Sequence, residues 1–187
     1  VPDGFEEEIA RTFIEPTLAE LRQRGIDYRG ALYAGFMLTA EGPKLIEYNV
    51  RFGDPDSQVV LLRMTPDLAA LLAAAADGDL TTVPAPTFDD EVAVLVVAAS
   101  EGYPVAPRTG DPIEGLDAAA AVEGATVLGA GVGRDAEGRI TTAGGRVLNV
   151  VGTAADAETA RQRAYDALAR ITWPGEHHRT DIAAPPA

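Results

Sequence analysis

Residues 81–90 divide the sequence into two stretches with different patterns. This segment, TTVPAPTFDD, is rich in proline and threonine and has no apolar periodicity, which is typical of a boundary rather than of a helix or strand. Helical and hairpin patterns precede it, whereas short strands and one final helix follow it. The sequence therefore predicts an α+β protein in two parts, residues 1–88 and residues 89–187.

The first part is predicted to contain helices around one β-hairpin. Pro16 kinks or restarts the first helix, and Asp54 and Thr65 each precede a proline as helix N-caps often do. The predicted elements are a helix over residues 3–24, strands over 30–39 and 44–50, and two helices that end near residues 64 and 78.

The second part is predicted to be a small β-rich domain closed by a helix. Residues 91–100, EVAVLVVAAS, form a continuous apolar run that is typical of a buried strand. Thr153, with Asp156 three residues later, predicts the start of the closing helix, and the tail after Pro174 is expected to fray. Further strands are predicted over residues 125–132, 139–143 and 146–151.

Charge and composition exclude several classes of function. Fifteen Lys and Arg against 29 Asp and Glu give a net charge of -14, which argues against binding to nucleic acids or anionic membranes. The absence of cysteine excludes disulfides and thiolate chemistry, and the two adjacent histidines, His177 and His178, make a histidine-based triad improbable. A metal site would therefore use oxygen ligands, as Mg²⁺ prefers. We expect a cytoplasmic protein with no secretory signal and no membrane span.

One strand carries residues suited to chemistry. In LIEYNVR, alternation places Leu45, Glu47, Asn49 and Arg51 on one face. A carboxylate and an amide carbonyl two residues apart can approach Mg²⁺, and a guanidinium suits phosphate or carboxylate. A solvated hairpin face with Glu47 and Arg51 as an ion pair is the alternative interpretation, and spacing alone does not decide between them.

A longer match favours the chemical interpretation. Residues 29–64, RGALYAGFMLTAEGPKLIEYNVRFGDPDSQVVLLRM, resemble the later part of the ATP-grasp domain in the glycinamide ribonucleotide synthetase (phosphoribosylamine–glycine ligase) family. The family pattern is approximately Y-x-G-x-L-Y-A-G-[LF]-M followed by I-E-[FY]-N-x-R-F-G-D-P-E-x-Q. This chain departs from it at Asp56, where Glu is usual, and at Ser57, where Thr is usual. Further similarities occur at residues 98–115, 144–148 and 179–182.

The resemblance implies a role for each matching residue. Glu47 and Asn49 would be ligands of Mg²⁺ or Mn²⁺ bound with ATP, and Arg51 would contact the γ-phosphate or the acyl phosphate made from it. Gly53 would allow close approach of the backbone to phosphate, and Asp54 would cap the next helix and face the amine substrate. The implied reaction activates glycine with ATP and joins it to 5-phosphoribosylamine in purine (IMP) biosynthesis.

Two questions remain open from the sequence. The family's first ATP-binding lobe and N-terminal domain are absent from these residues, so the chain resembles a C-terminal part that is expected to be inactive alone and to need the remaining N-terminal part of the enzyme. The alternative is a non-catalytic module that keeps the strand as a scaffold for a partner protein.

Gly144 and Gly145 are interpreted as a tight turn with positive φ, with substrate contact by Arg146 as the alternative.

Overall fold

A computed structural model describes residues 4–185 and has the expected α+β architecture. The chain forms two compact units. The first consists of Val1–Asp56 with Pro66–Pro86, and the second of Ser57–Thr65 with Thr87–Ala187. The segment between the two stretches of the first unit joins the second because Thr65 and Met64 pair with Thr87 and Phe88.

The first unit is built from helices and one hairpin. Pro16 lies at the start of α2, directly after a π-helical turn, because proline lacks the N–H that a continuous α-helix would use there. The elements in order are α1 (Phe5–Ile9), the π-helical turn (Ala10–Ile14), α2 (Glu15–Gln23), β1 (Tyr33–Thr39), β2 (Gly42–Asn49), α4 (Leu68–Asp77) and a 3-10 turn (Leu80–Thr82).

One face of the hairpin packs on the N-terminal helical segment. The rings of Phe13 and Phe36 meet edge to face with their centroids 5.0 Å apart. The hydroxyl of Tyr48 donates to the Phe13 carbonyl oxygen at 2.9 Å and lies 2.9 Å from the hydroxyl of Thr17. These contacts fix which face of the strands is covered and which face is left for other groups.

The hairpin ladder contains a β-bulge that the sequence pattern does not predict. Gly35 pairs with Glu47, but the next residue, Phe36, pairs with Leu45, so Ile46 has no opposite residue. Directly paired residues point to the same face, and one extra residue reverses the alternation. The expectation that Leu45 shares a face with Glu47 is therefore wrong, since Leu45 lies with Phe36 on the helix-covered face.

The second unit contains α3 (Asp56–Arg63, all but its first residue) and a three-stranded antiparallel sheet of order β3-β7-β4. Its elements after α3 are β3 (Val92–Ala99), α5 (Leu116–Ala120), β4 (Ala125–Gly129), β5 (Val132–Arg134), β6 (Ile140–Thr142), β7 (Arg146–Ala154) and α6 (Ala157–Leu168). The central strand, β7, is buried along most of its length. The buried core joins this sheet to α6, with Val150 and Ala164 fully buried.

Helix α6 lies very close to the sheet. A Cβ at Gly152 would collide with the Ala160 carbonyl oxygen of α6, so glycine is required at this position in β7. Alanines at positions 160, 164 and 167 are fully buried on the facing side of the helix. Small side chains on both elements therefore explain why the predicted closing helix can cover this sheet.

Two predicted helix N-caps are displaced along the chain. Asp67, not Thr65, caps α4 by accepting from the Ala69 N–H at 2.8 Å. Asp156, not Thr153, caps α6 by accepting from the Thr159 N–H at 2.9 Å, because Thr153 belongs to β7. In both cases an aspartate closer to the helix takes the capping role.

The helix expected to start at Pro55 begins one residue later, and a short helix was missed. Helix α3 starts at Asp56, after a cis peptide bond between Asp54 and Pro55. Helix α5 lies between the predicted strands at residues 91–100 and 125–132, and no prediction covered it. Its five residues are too few to show an apolar period.

The C-terminal tail is held in place rather than frayed, so that expectation is wrong. His177 and Ala99 exchange two backbone hydrogen bonds of 2.9 and 3.1 Å. Arg161 of α6 donates to the carbonyl oxygens of Ile182 at 2.9 Å and Thr180 at 2.7 Å. These anchors use backbone groups of the tail, which its hydropathy does not reveal. Among residues 4–185, no helix is long and apolar enough to cross a membrane.

Candidate functional site

The uncovered face of the hairpin brings together the residues that the strand pattern singled out. Glu47 lies opposite Gly35, and Asn49 lies opposite Tyr33. A side chain at Gly35 would touch the Cγ of Glu47 at 3.7 Å, so glycine leaves this face open around the carboxylate. Because paired residues share a face, Tyr33, Glu47 and Asn49 form one polar surface opposite the packed helix.

The side chains of Glu47 and Asn49 are hydrogen-bonded to one another. The Asn49 side-chain amide donates from Nδ2 to the Glu47 Oε1 at 2.9 Å. Glu47 is exposed and Asn49 is half-buried. This bond orients the amide so that its carbonyl oxygen and the Glu47 carboxylate are the oxygen donors of the pair, a donor set suited to a hard divalent cation.

These donors fit a metal that is shared with a substrate. No group of three or more His, Cys, Asp or Glu side chains that could hold a metal ion occurs within the described residues. Mg²⁺ is commonly held by one or two protein ligands together with waters and substrate phosphates. One carboxylate and one amide therefore fit a nucleotide-bound cation better than a self-contained structural metal.

Arg51 lies just beyond the strand rather than on it. Strand β2 ends at Asn49, so the alternation that was used to place Arg51 on the face of Glu47 stops two residues before it. Its guanidinium donates from Nη1 to the Phe52 carbonyl oxygen at 3.0 Å and is exposed. The turn, not the strand, sets the direction of this cation.

Gly53 is buried at the centre of that turn. A Cβ added there would lie 2.9 Å from Oδ2 of Asp56 and 3.3 Å from Cε2 of Tyr33. The residue does not have positive φ, so the need for glycine is one of space. Asp54 follows it and is exposed, two residues before the start of α3.

Tyr33 is a site residue that the sequence analysis missed. Burial raises the pKa of its phenol, and the nearby carboxylate of Asp56 raises it further through its charge and as a hydrogen-bond acceptor. The charge of Glu47 acts in the same direction, and Arg51 opposes them. The signal that could have found Tyr33 is its place opposite Asn49, which requires knowing the hairpin register.

The Gly144–Gly145 turn has a different basis from the one expected. Neither glycine has positive φ, so that expectation is wrong. Gly145 packs against the ring of Tyr103, leaving no room for a Cβ, and a Cβ at Gly144 would lie 3.1 Å from the Cα of Gly131. Close packing within the second unit accounts for both glycines.

Two family models match the chain and together cover most of it. The model described as "Phosphoribosylglycinamide synthetase, ATP-grasp (A) domain" matches residues 1–57, and "Phosphoribosylglycinamide synthetase, C domain" matches residues 93–185. The two matches lie on either side of the segment that the sequence marked as a boundary. They confirm the resemblance inferred from residues 29–64.

Curated relatives carry the name phosphoribosylamine–glycine ligase. The protein from Streptomyces coelicolor is 50% identical over 179 residues, which cover 95% of this chain and 43% of the relative. The protein from Leifsonia xyli is 48% identical over 185 residues, covering 98% and 44% respectively. The chain therefore spans less than half the length of these relatives.

Solved structures agree with the fold. The crystal structure of phosphoribosylamine–glycine ligase from Thermotoga maritima matches with a TM-score of 0.80 and 33% identity, covering 97% of this chain and 44% of that one. N5-carboxyaminoimidazole ribonucleotide synthetase from the same organism matches with a TM-score of 0.54 and 17% identity, which shows likeness of fold alone. The α+β class, with part of an ATP-grasp domain before a small β-rich domain, is confirmed.

Proposed function

Because this chain belongs to the phosphoribosylglycinamide synthetase family, we propose that it is part of an ATP-dependent ligase that joins glycine to 5-phosphoribosylamine. Residues 1–88 would supply the later part of the ATP-grasp domain, and residues 89–187 would form the C-terminal domain. The preceding part of the enzyme would supply the rest of the nucleotide site. The ligase would act in the cytoplasm, in purine (IMP) biosynthesis.

The main observation in support of this proposal is the hydrogen bond between Glu47 and Asn49 on the open face of the hairpin. Both residues match the family motif, and their oxygens would hold Mg²⁺ or Mn²⁺ together with the phosphates of ATP. The cation, when bound, neutralises charge on the transferred phosphoryl group. Alternation along β2 puts both side chains on the same face of the strand.

Arg51 would contact the γ-phosphate and then the acyl phosphate of glycine. In the proposed reaction the glycine carboxylate attacks the γ-phosphorus and ADP leaves. The amine of 5-phosphoribosylamine then attacks the acyl carbon and displaces phosphate. Negative charge on the phosphoryl oxygens persists through both steps, and an always-charged, planar guanidinium suits them. The exposure of Arg51 at the turn leaves it accessible to such a ligand.

Gly53 and Asp54 would complete the substrate side of the turn. We propose that the backbone at Gly53 approaches phosphate and that Asp54, which is exposed, faces the substrate amine. A carboxylate can accept hydrogen bonds from an amine and favour its correct orientation. Neither role requires a histidine or cysteine nucleophile, in keeping with the composition of the chain.

The proposal is tested with a full-length ligase that carries these 187 residues. Glu47→Ala and Asn49→Leu should each lower glycine-dependent ADP formation by at least about 100-fold, which corresponds to the loss of several kcal/mol of charge stabilisation. Thermal unfolding should change little for Glu47→Ala, because Glu47 is exposed.

Tyr48→Phe is the matched control on the opposite face of the same strand. It removes a hydroxyl that bonds to Phe13 and Thr17, so it should lower the melting temperature slightly and leave turnover nearly unchanged. Near-normal turnover of Glu47→Ala at saturating Mg²⁺ would contradict the assignment of the metal ligands.

A further inference from the structure

Tyr33 stands where the metal-binding strand and the following turn meet. It is the first residue of β1 and lies directly opposite Asn49, so its ring shares the face that carries the Asn49 amide. The edge of the same ring, at Cε2, lies 3.3 Å from the position of a Cβ on Gly53. One aromatic side chain therefore borders both the strand that bears the ligands and the turn that bears Arg51.

Asp56, the first residue of α3, also lies next to Gly53. Its Oδ2 lies 2.9 Å, and its Cβ 3.2 Å, from the same Cβ position on Gly53. Asp56 also acts on the Tyr33 hydroxyl as a hydrogen-bond acceptor and as a negative charge. The absence of a side chain at Gly53 is what allows the phenol and the carboxylate to meet across the buried backbone.

We propose that Tyr33 and Asp56 form a positioning pair that holds the Arg51–Gly53 turn against the strand carrying Glu47 and Asn49. The pair acts through these residues and not by touching the reacting atoms. This inference rests on the proposed function, since it assigns a role in that same site.

The physical reason for such a pair lies in the irregular backbone of the turn. Strand β2 stops at Asn49 and α3 starts at Asp56, so regular backbone pairing does not fix residues 50–55. A cation on an unsupported turn would have to be ordered at the cost of binding free energy. A hydrogen bond from Tyr33 of β1 to Asp56 ties the α3 end of the turn to the strand that pairs with β2.

Charge balance around the phenol supports the same role. Besides burial, the negative charges of Asp56 and Glu47 raise the pKa of the Tyr33 phenol, and the positive charge of Arg51 lowers it. The neutral phenol therefore lies among two negative groups and one positive group, which are all on the proposed site or next to it. A hydroxyl in this place gives Asp56 a partner without adding a charge that would compete for the cation.

The test uses the full-length ligase with Tyr33→Phe, Asp56→Asn and the double variant. Loss of groups that orient metal ligands typically costs 10–100-fold in affinity or activity, so each single variant should lower kcat/KM by about 10-fold or more. Binding of Mn²⁺ in the presence of ADP, followed by the electron paramagnetic resonance signal of free Mn²⁺, should weaken by about 10-fold as well. The kcat/KM of the double variant should be no lower than that of the less active single variant, since both substitutions remove the same hydrogen bond.

Two further variants separate positioning from general stability. Asp56→Glu keeps the carboxylate and should retain most of the activity, whereas Tyr28→Phe removes a tyrosine hydroxyl that donates to the Ala31 carbonyl oxygen at 2.7 Å and should leave Mn²⁺ binding unchanged. If Tyr33→Phe fails to fold, Asp56→Asn carries the test alone, because Asp56 is exposed.

The outcomes distinguish this inference from the proposed function. An unmutated full-length protein that forms no ADP with glycine and 5-phosphoribosylamine would overturn the proposed function. An active enzyme in which Tyr33→Phe and Asp56→Asn leave Mn²⁺ binding unchanged, or in which their effects simply add, would overturn the positioning pair alone.

Discussion

Gly53 shows how one residue can be constrained by its neighbours rather than by its own backbone. Gly53→Ala in the full-length ligase would place a methyl group 2.9 Å from Oδ2 of Asp56 and 3.3 Å from the Tyr33 ring. Forcing extra volume into such a contact typically costs about 1–3 kcal/mol. We expect that loss in urea unfolding, together with reduced ligase turnover, because the Asp56 side chain or the turn bearing Arg51 must shift.

Gly35→Ala is the matched control for this substitution. Gly35 also lacks positive φ, but a Cβ there would meet the Cγ of Glu47 at 3.7 Å, an ordinary van der Waals distance. Its unfolding free energy should change by less than about 0.5 kcal/mol, as for most substitutions that create no overlap. Equal destabilisation by the two alanines would show that the space at Gly53 is not special.

At the scale of single residues, the sequence predicts which neighbouring residues of one strand share a face. Glu47 and Asn49 share a face because strand alternation is regular between them, and Asn49 Nδ2 indeed bonds to Glu47. Tyr33 and Leu45 were misjudged for one reason, which is that both depend on the hairpin register. A bulge or a cross-strand neighbour arises from pairing between strands, which no count along a single strand can supply.

At the scale of elements, the C-terminal tail has a specific anchor on α6. Two hydrogen bonds run from the Arg161 guanidinium to the carbonyl oxygens of Thr180 and Ile182. Hydrogen bonds to a charged group contribute about 1.5–3 kcal/mol. Arg161→Gln should therefore open the tail more often and speed tryptic cleavage after Arg179 by about 10-fold, as followed by mass spectrometry.

The control for this experiment is Arg139→Gln. Arg139 makes its ion pairs with Asp135 and Glu137 on an exposed turn, so the change removes one arginine without touching the tail. The rate of cleavage after Arg179 should stay at that of the unchanged protein. A tail that is cut equally fast in all three proteins would mean that Arg161 does not hold it.

Helices and strands were easier to predict from the sequence than their ends. The apolar run at residues 91–100 became β3 (Val92–Ala99) because buried strands need continuous apolar sequence. Helix starts were misplaced because two polar residues competed for each cap, and geometry selected Asp67 and Asp156. Tail docking depended on tertiary hydrogen bonds, which composition does not encode.

At the scale of the whole molecule, the two units differ in their buried apolar side chains. The clusters of buried apolar side chains described in residues 4–185 belong to the second unit. Large exposed apolar side chains occur in both units, among them Val50 (73% exposed) in the first and Val105 (92% exposed) in the second. In the proposed ligase, the preceding part of the enzyme would be expected to cover some of those in the first unit.

The 187-residue chain alone should therefore neither make glycinamide ribonucleotide nor bind ATP tightly. A net charge of -14 repels a polyanionic nucleotide, and a cation held by Glu47 and Asn49 depends on the phosphates for its remaining ligands. Isothermal titration calorimetry with ATP and Mg²⁺ should show a Kd no tighter than about 1 mM, or roughly −4 kcal/mol.

The matched measurement is made on the full-length ligase under the same conditions. Tight binding there and weak binding here would support the need for the preceding part of the enzyme. A micromolar Kd for the chain alone, or product formed from glycine and 5-phosphoribosylamine, would contradict this expectation.

The bulge at Ile46 also determines which face of the hairpin a substitution in β2 affects. Deleting Ile46 would restore an uninterrupted ladder, and Leu45 would still pair with Phe36 on the face opposite Glu47. Because of the bulge, Leu45 and Tyr48 both face the helical segment although they are three residues apart, whereas Glu47 and Asn49 face the candidate site. A polar residue at position 45, harmless by simple alternation, would instead lie on the face that packs on the helical segment.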